Sequence, residues 1–182
     1  MCYLVIAGDR GLAGGYNSNI FRLAQQEMQQ TGTGNSLVIP VGAKAQEYFG
    51  RRDIPILTDR FPLAEDVRMG ATYELGLRLA KGYRDGEFDK LVLIYTNFVS
   101  TLSQVPTAVQ LLPVPDLREG EPSKGVLTVY EPDPQSVFEE IVPQYLSGMF
   151  YGAVCESLAS EHGARRTAME SANDNASEMI EQ

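Results

Sequence analysis

The chain has no tryptophan, one histidine and two cysteines among its 182 residues. A structural zinc site gathers four Cys or His ligands at short spacings, and His162, Cys2 and Cys155 are scattered along the sequence. The two cysteines fall in a strand-like and a helix-like segment, and they read as reduced core thiols of a cytosolic protein. No apolar run approaches the roughly 18 residues of a membrane span, so direct membrane insertion is not expected. Basic charge is also scarce. The formal net charge is −9, and it is uneven: residues 1–132 carry 13 basic and 15 acidic side chains, residues 133–182 only 2 and 9. Nucleic-acid binding runs on clustered cations that neutralise phosphates, so that class is set aside. Met1 leads almost at once into an apolar run with no basic leader, so no signal peptide is expected. An opening in mid-strand points instead to missing chain upstream.

What is present alternates between strand and helix patterns. "YLVIA" (3–7) is a continuous apolar run, the mark of a strand covered on both faces. A glycine-rich loop follows, and Asn17 or Ser18 is placed to cap a helix carrying Ile20, Phe21, Leu23, Ala24 and Met28. "LVIPV" (37–41) is a second strand in which Pro40 marks an edge position or the strand's end, "KAQEYF" (44–49) a short helix and "IPIL" (54–57) a third strand. A longer helix is expected from about "PLAEDV" (62–67), with Glu65 and Asp66 at its positive end. Gly70, Gly76 and Gly82 lie within it and suggest close backbone packing, since each costs about 1 kcal/mol of helix stability relative to Ala. "KLVLIY" (90–95) is the clearest strand, and 100–114 reads as extended chain pairing back antiparallel.

Prolines 115, 122, 132 and 134 crowd the next stretch, which makes 115–134 a connection between a globular part (1–114) and a helical part (135–182). In the helical part Phe138, Ile141, Tyr145, Met149, Gly152, Cys155 or Glu156, Ala159 and His162 recur every three or four residues. Pro143 inside that pattern should start or kink the helix. Beyond Glu156 the apolar stripe thins to alanines and Met169, a narrow seam suited to an antiparallel coiled coil whose partner the sequence does not contain. The whole reads as α/β: an open, mostly parallel Rossmann-like sheet with helices on both faces, followed by a long C-terminal helix.

The loop "GDRGLAGGYNSN" (8–19) stands where such sheets bind phosphates, beyond the end of the first strand. Dinucleotide binding needs glycines at i, i+2 and i+5, but Arg10 follows Gly8 and Ala13 follows Gly11 at the second position. A Walker loop needs a lysine, and none precedes Lys44. The second strand ends "PVGAK" (40–44), with no acid for a ribose. The loop is therefore expected to be a structural turn, in which Gly11, Gly14 and Gly15 supply left-handed backbone and Asn17 and Asn19 satisfy free N–H groups. There is no GxSxG elbow, and the acidic pairs Glu65–Asp66 and Glu139–Glu140 are adjacent residues that diverge on a helix. Tyr95, Thr96 and Asn97 end the best strand and read as mainly structural. The alternative of a small doubly wound nucleotide-binding domain or enzyme would have to use the Gly8–Asn19 loop.

Three blocks, in order, carry a resemblance. "DRGLAGGYNSNI" (9–20) resembles the hallmark near the start of the globular domain of the F-type ATP synthase gamma subunit. "TNFVSTLSQVPTAVQLLPV" (96–114) is similar to that family's last sheet region, and "FYGAVCESLASEHGARRTAMESANDNASEMI" (150–180) to the start of its long C-terminal helix. Ala13 stands where the family usually has cysteine. The N-terminal helix of the family is missing before Cys2, and the C-terminal helix stops at Gln182, so the chain reads as a central-domain fragment.

The resemblance implies a central-stalk rotor without an active site or cofactor of its own. In such a subunit the terminal helices form a coiled coil inside the hexamer of alpha and beta subunits. The Rossmann-like domain sits lower, against the epsilon subunit and the membrane c-ring. Proton flux, or sodium flux, would drive it. The resemblance also implies a peripheral position at the cytoplasmic face of the bacterial plasma membrane, with ATP synthesis in the hexamer coupled to rotation. Carried onto this sequence, Arg165, Arg166, Asn173 and Asp174 fall in the contact region with the beta subunits, Arg165 foremost. Unpartnered, the stripe around Ile141, Tyr145 and Met149 is expected to fold back or to pair two copies of the chain.

Overall fold

Strand β1 (Cys2–Ile6) is apolar and buried at every position, and that places it at the middle of the sheet. The computed structural model describes residues 1–31, 36–115 and 131–181. After β1 come α1 (Tyr16–Thr31), β2 (Leu37–Val41), α2 (Ala43–Gly50), α3 (Met69–Arg84), β3 (Leu91–Phe98), β4 (Gln104–Leu112) and α4 (Pro134–Glu181). The sheet order is β2-β1-β3-β4, with β1 parallel to both neighbours and β4 antiparallel to β3. Alternation along β1 builds two cores. Tyr3, Val5 and Ala7 face Ile20, Ala24 and Met28 of α1 and Ala45 and Phe49 of α2. Cys2, Leu4 and Ile6 face Leu75 and Leu79 of α3 and Leu146, Phe150 and Val154 of α4. The open, mostly parallel sheet with helices on both faces is as the alternation implied.

Three boundaries differ from the sequence reading, each for a physical reason. Residues 54–57 make only a bridge, Val38 to Ile56, in which Val38 N–H donates to the Pro55 carbonyl and Leu57 N–H to the Val38 carbonyl, both at 2.9 Å; Pro55 and Pro40 have no N–H to extend the ladder to either side. The helix expected from residue 62 begins at Met69 with Arg68 as its cap position, so Glu65 and Asp66 lie outside its first turn. The N–H groups of Ala64 and Glu65 are held instead by the Asp9 carboxylate, at 2.8 and 3.0 Å. Neither Asn17 nor Ser18 caps α1, which already starts at Tyr16.

Helix α3 lies antiparallel against α4, with Thr72 Oγ1 2.8 Å from Ser147 Oγ at one end and Arg84 on Glu139 at the other. Gly76 allows this approach, for a Cβ there would stand 2.5 Å from the Pro143 carbonyl oxygen. Gly82 is similarly crowded, by Arg78 and Phe88, whereas Gly70 has open space and serves no packing role. Helix α4 runs unbroken through Pro143. Asp133 begins it, accepting the Ser136 N–H at 2.9 Å and its hydroxyl at 2.6 Å, with Pro134 as the first helical residue.

The face of α4 that packs coincides only in part with the stripe read from the sequence: Tyr145 and Met149 are half-buried against the core, but the centre of the packed face lies one row away. Leu146, Ser147, Phe150, Ala153, Val154, Ser157, Ser160 and Glu161 are buried, while Phe138 and Ile141 are 53% and 51% exposed. Cys155 is exposed as well, so only Cys2 is a core thiol, and burial pushes its pKa up to about 12. The proline-rich connection falls mostly in 116–130, outside the described residues.

Candidate functional site

In a doubly wound sheet the ligand crevice opens beyond the strand ends where the connections part to opposite sides. Here that place lies above β1 and β3, flanked by the loop after β1 and the turn joining β3 to β4. The upper part of α4 fills it. Tyr16 donates its hydroxyl to the Ser157 carbonyl at 3.0 Å. Ser157 Oγ accepts the Thr96 N–H and Ser160 Oγ donates to the Thr96 carbonyl, both at 3.3 Å. Two serines one helical turn apart thus hold both backbone groups of one strand residue. On the far side, Thr167 reaches the Thr101 carbonyl at 3.5 Å, and Gly163 lets the turn come close. Burial drives the Tyr16 pKa upward, more than its bond to Ser157 lowers it, so the phenol stays a donor.

Glu161 is the centre of this collar and only 3% exposed. Its carboxylate lies against Gly8, where a Cβ would come 2.8 Å from the carboxyl carbon. It accepts the Arg10 N–H at 3.4 Å and is paired with the Arg165 guanidinium one turn along α4. Arg165 in turn donates to the Gly11 carbonyl at 3.4 Å. The chain's own carboxylate therefore occupies the mouth of the loop where a phosphate would be bound.

The loop itself is a built turn. Asn17 holds it closed, accepting the Gly8 N–H at 2.8 Å and donating to the Arg10 carbonyl at 3.3 Å. Left-handed backbone occurs at Gly14 (φ 54°) and at Leu12 (φ 60°), not at Gly11 or Gly15. Asn19 turns outward to accept from Arg22 rather than closing the loop. Asp9, which the sequence reading passed over, is the most heavily bonded side chain of the loop. It takes the N–H groups of Ala43, Ala64 and Glu65, and so supplies in trans the cap that α2 lacks at Gly42. Beside the collar a cleft of about 250 Å³ is lined by Gly14, Asn19, Thr96, Gln104 and Thr167 among others, with no charged side chain.

Of the residues tied to partner contact, Arg165 is drawn inward, its side chain 21% exposed. Arg166 is exposed and pairs with Glu170 at 2.8 Å, and Asn173 and Asp174 lie on the fully exposed end of α4. The structure thus joins Arg165 to the Gly8–Asn19 loop and leaves the other three facing out. Among the described residues no group of three or more metal-ligating side chains assembles, and no helix is long and apolar enough to cross a membrane.

The sequence model of a family described as ATP synthase matches residues 1–182. The ATP synthase gamma chain of Ruminococcus albus is 43% identical over 182 residues, covering 98% of this chain and 63% of that protein. The sodium ion specific ATP synthase gamma chain of Acetobacterium woodii is 34% identical over 197 residues, covering 98% and 65%. The chain thus spans under two thirds of these relatives' lengths. A chain in the central stalk and c-ring structure of the Tetrahymena thermophila mitochondrial ATP synthase superposes with a TM-score of 0.67, at 22% identity, covering 94% of this chain and 76% of that one.

Proposed function

The chain belongs to the ATP synthase family as a gamma-chain relative, and from that premise we propose that it is the central-stalk rotor of an F-type enzyme. In this reading it carries rotation between a membrane c-ring and the alpha–beta hexamer, coupling proton flow to ATP synthesis. The ion is selected outside this chain, and the sodium-specific name of the Acetobacterium relative marks the alternative. The rotor does no chemistry and needs no cofactor; it works as a peripheral subunit at the cytoplasmic face of a bacterial plasma membrane.

The observation that carries this reading is the build of α4. Its 48 residues form one unbroken helix, rooted in the sheet domain through residues 142–165 and fully exposed from Met169 onward. A helix exposed on all sides over three turns gains little by itself, and a partner helix along its small-residue row would supply the missing burial. We divide the chain accordingly into a sheet domain (1–114), a connection (115–134) and a shaft segment (135–182). Arg166, Asn173 and Asp174 face outward in the stretch assigned to contact with the beta subunits, with Arg166 the cation placed to meet an acidic loop there, while Arg165 is drawn inward to hold the Gly8–Asn19 turn. The sheet domain offers the surface for epsilon. Alone, the chain is expected to dimerise through the exposed row of α4.

Co-expression with alpha, beta and epsilon subunits tests this. A tag on the chain should retain epsilon in equal amount and part of the hexamer, and Arg166→Glu, which sets like charge against an acidic loop, should weaken retention of the hexamer but not of epsilon. Retention of neither subunit would contradict the reading.

A further inference from the structure

The Asp9 carboxylate spends its hydrogen bonds away from α4, yet the grip on α4 depends on the backbone beside it. Its two carboxylate oxygens take three N–H groups from two separate segments: Ala43 at 3.0 Å from the start of α2, and Ala64 and Glu65 at 2.8 and 3.0 Å from the turn ahead of α3. The next residue, Arg10, gives its N–H to Glu161, and Gly11 gives its carbonyl to Arg165. Two contacts of the collar, those to Glu161 and Arg165, thus come from the two residues directly after the one that is pinned. Asn17 fixes the opposite edge of the same turn.

We propose that Asp9 is a positioning residue for torque transfer, setting the Arg10–Gly11 backbone so that it grips Glu161 and Arg165. The inference rests on the rotor reading above. Asp9 thereby ties the sheet domain's outer turn at 64–65 and the start of α2 to the shaft through one carboxylate. Asp9→Asn preserves size but turns one acceptor oxygen into an NH2 group facing an N–H, so the turn loosens without a cavity.

The test uses the assembled enzyme in membrane vesicles, comparing ATP hydrolysis with ATP-driven ion pumping. Asp9→Asn is expected to lower the pumping-to-hydrolysis ratio at least threefold while the complex still assembles, as Glu161→Gln should. Asp53→Asn, at an exposed position away from the collar, should leave the ratio as in wild type. A ratio unchanged in Asp9→Asn but lowered in Glu161→Gln overturns the proposal and leaves the rotor reading standing. A ratio unchanged in both overturns the role of the collar itself. Should the variant complex fail to assemble, amide spectra of the full chain decide: shifts reaching residues 158–168 of α4 support the proposal, and shifts confined to 43–45 and 64–65 refute it.

Discussion

One helix meets one domain in two different ways. From Pro143 to Val154, α4 buries Leu146, Phe150, Ala153 and Val154 in the core shared with α3 and the sheet, and Phe150 stands edge-on to Phe61 with ring centroids 5.3 Å apart. From Ser157 to Thr167 the same helix is held by hydroxyls, one carboxylate and backbone groups of β3 and of two loops. Apolar interlock is strong and indifferent to direction, while a hydrogen-bonded seat is weaker but fixes rotational setting. The lower stretch therefore decides whether α4 stays on the domain, and the upper stretch decides at what angle it leaves.

Phe150→Ala should show the largest effect, since a fully buried aromatic leaves a cavity worth about 3–5 kcal/mol; chemical denaturation would read it as a lowered midpoint. Glu161→Gln comes next. It removes the charge from a buried pair whose partner, Arg165, still reaches some water, which sets the loss at about 2 kcal/mol. Its more telling consequence should be faster amide exchange in residues 10–15, with 143–154 left as in wild type. Ser157→Ala strands the buried Thr96 N–H and should cost about 1 kcal/mol in the same denaturation assay.

The smallest effect lies at the other end of α4. Hydrogen bonds from the Ser136 hydroxyl and N–H hold the Asp133 carboxyl below its ordinary pKa of 3.8. A depressed folded pKa means stabilisation that is present above the unfolded value and lost as pH falls through the folded one. The melting advantage of wild type over Asp133→Ala should therefore persist at neutral pH and vanish under strong acid. An advantage that grew with acidification would contradict the cap.

These contrasts also explain which parts of the molecule the sequence made legible. Strands β1, β2 and β3 announce themselves because burial on two faces demands continuous apolar runs, and β4 follows from its place after the clearest of them. The apolar stripe on α4 diverges from the packed face in the collar, because that face is made of Ser157, Ser160, Glu161 and Gly163, which no hydrophobic pattern reveals. Such residues are buried only because loops distant in sequence supply their partners. Asp9 was hidden for the same reason: its three donors lie 34 to 56 positions away. The early start given to α3 rested on acidic residues suited to a helix terminus, and it failed where Asp9 had already taken the N–H groups. The Gly8–Asn19 loop lacks the glycine and lysine spacings of the phosphate motifs, which the sequence makes plain, and Asn17 folds it back on Gly8 and Arg10. That α4 provides the carboxylate in its mouth was not legible.

The division of labour along α4 is most directly tested by hydrogen exchange, residue by residue, on the intact chain. Protection should fall in three steps: highest over 143–154, intermediate over 157–167, and close to that of a free helix over 169–181. Equal protection across the first two stretches would mean that the collar is as firm as the core, and would contradict a division of α4 into an interlocked and a hydrogen-bonded part.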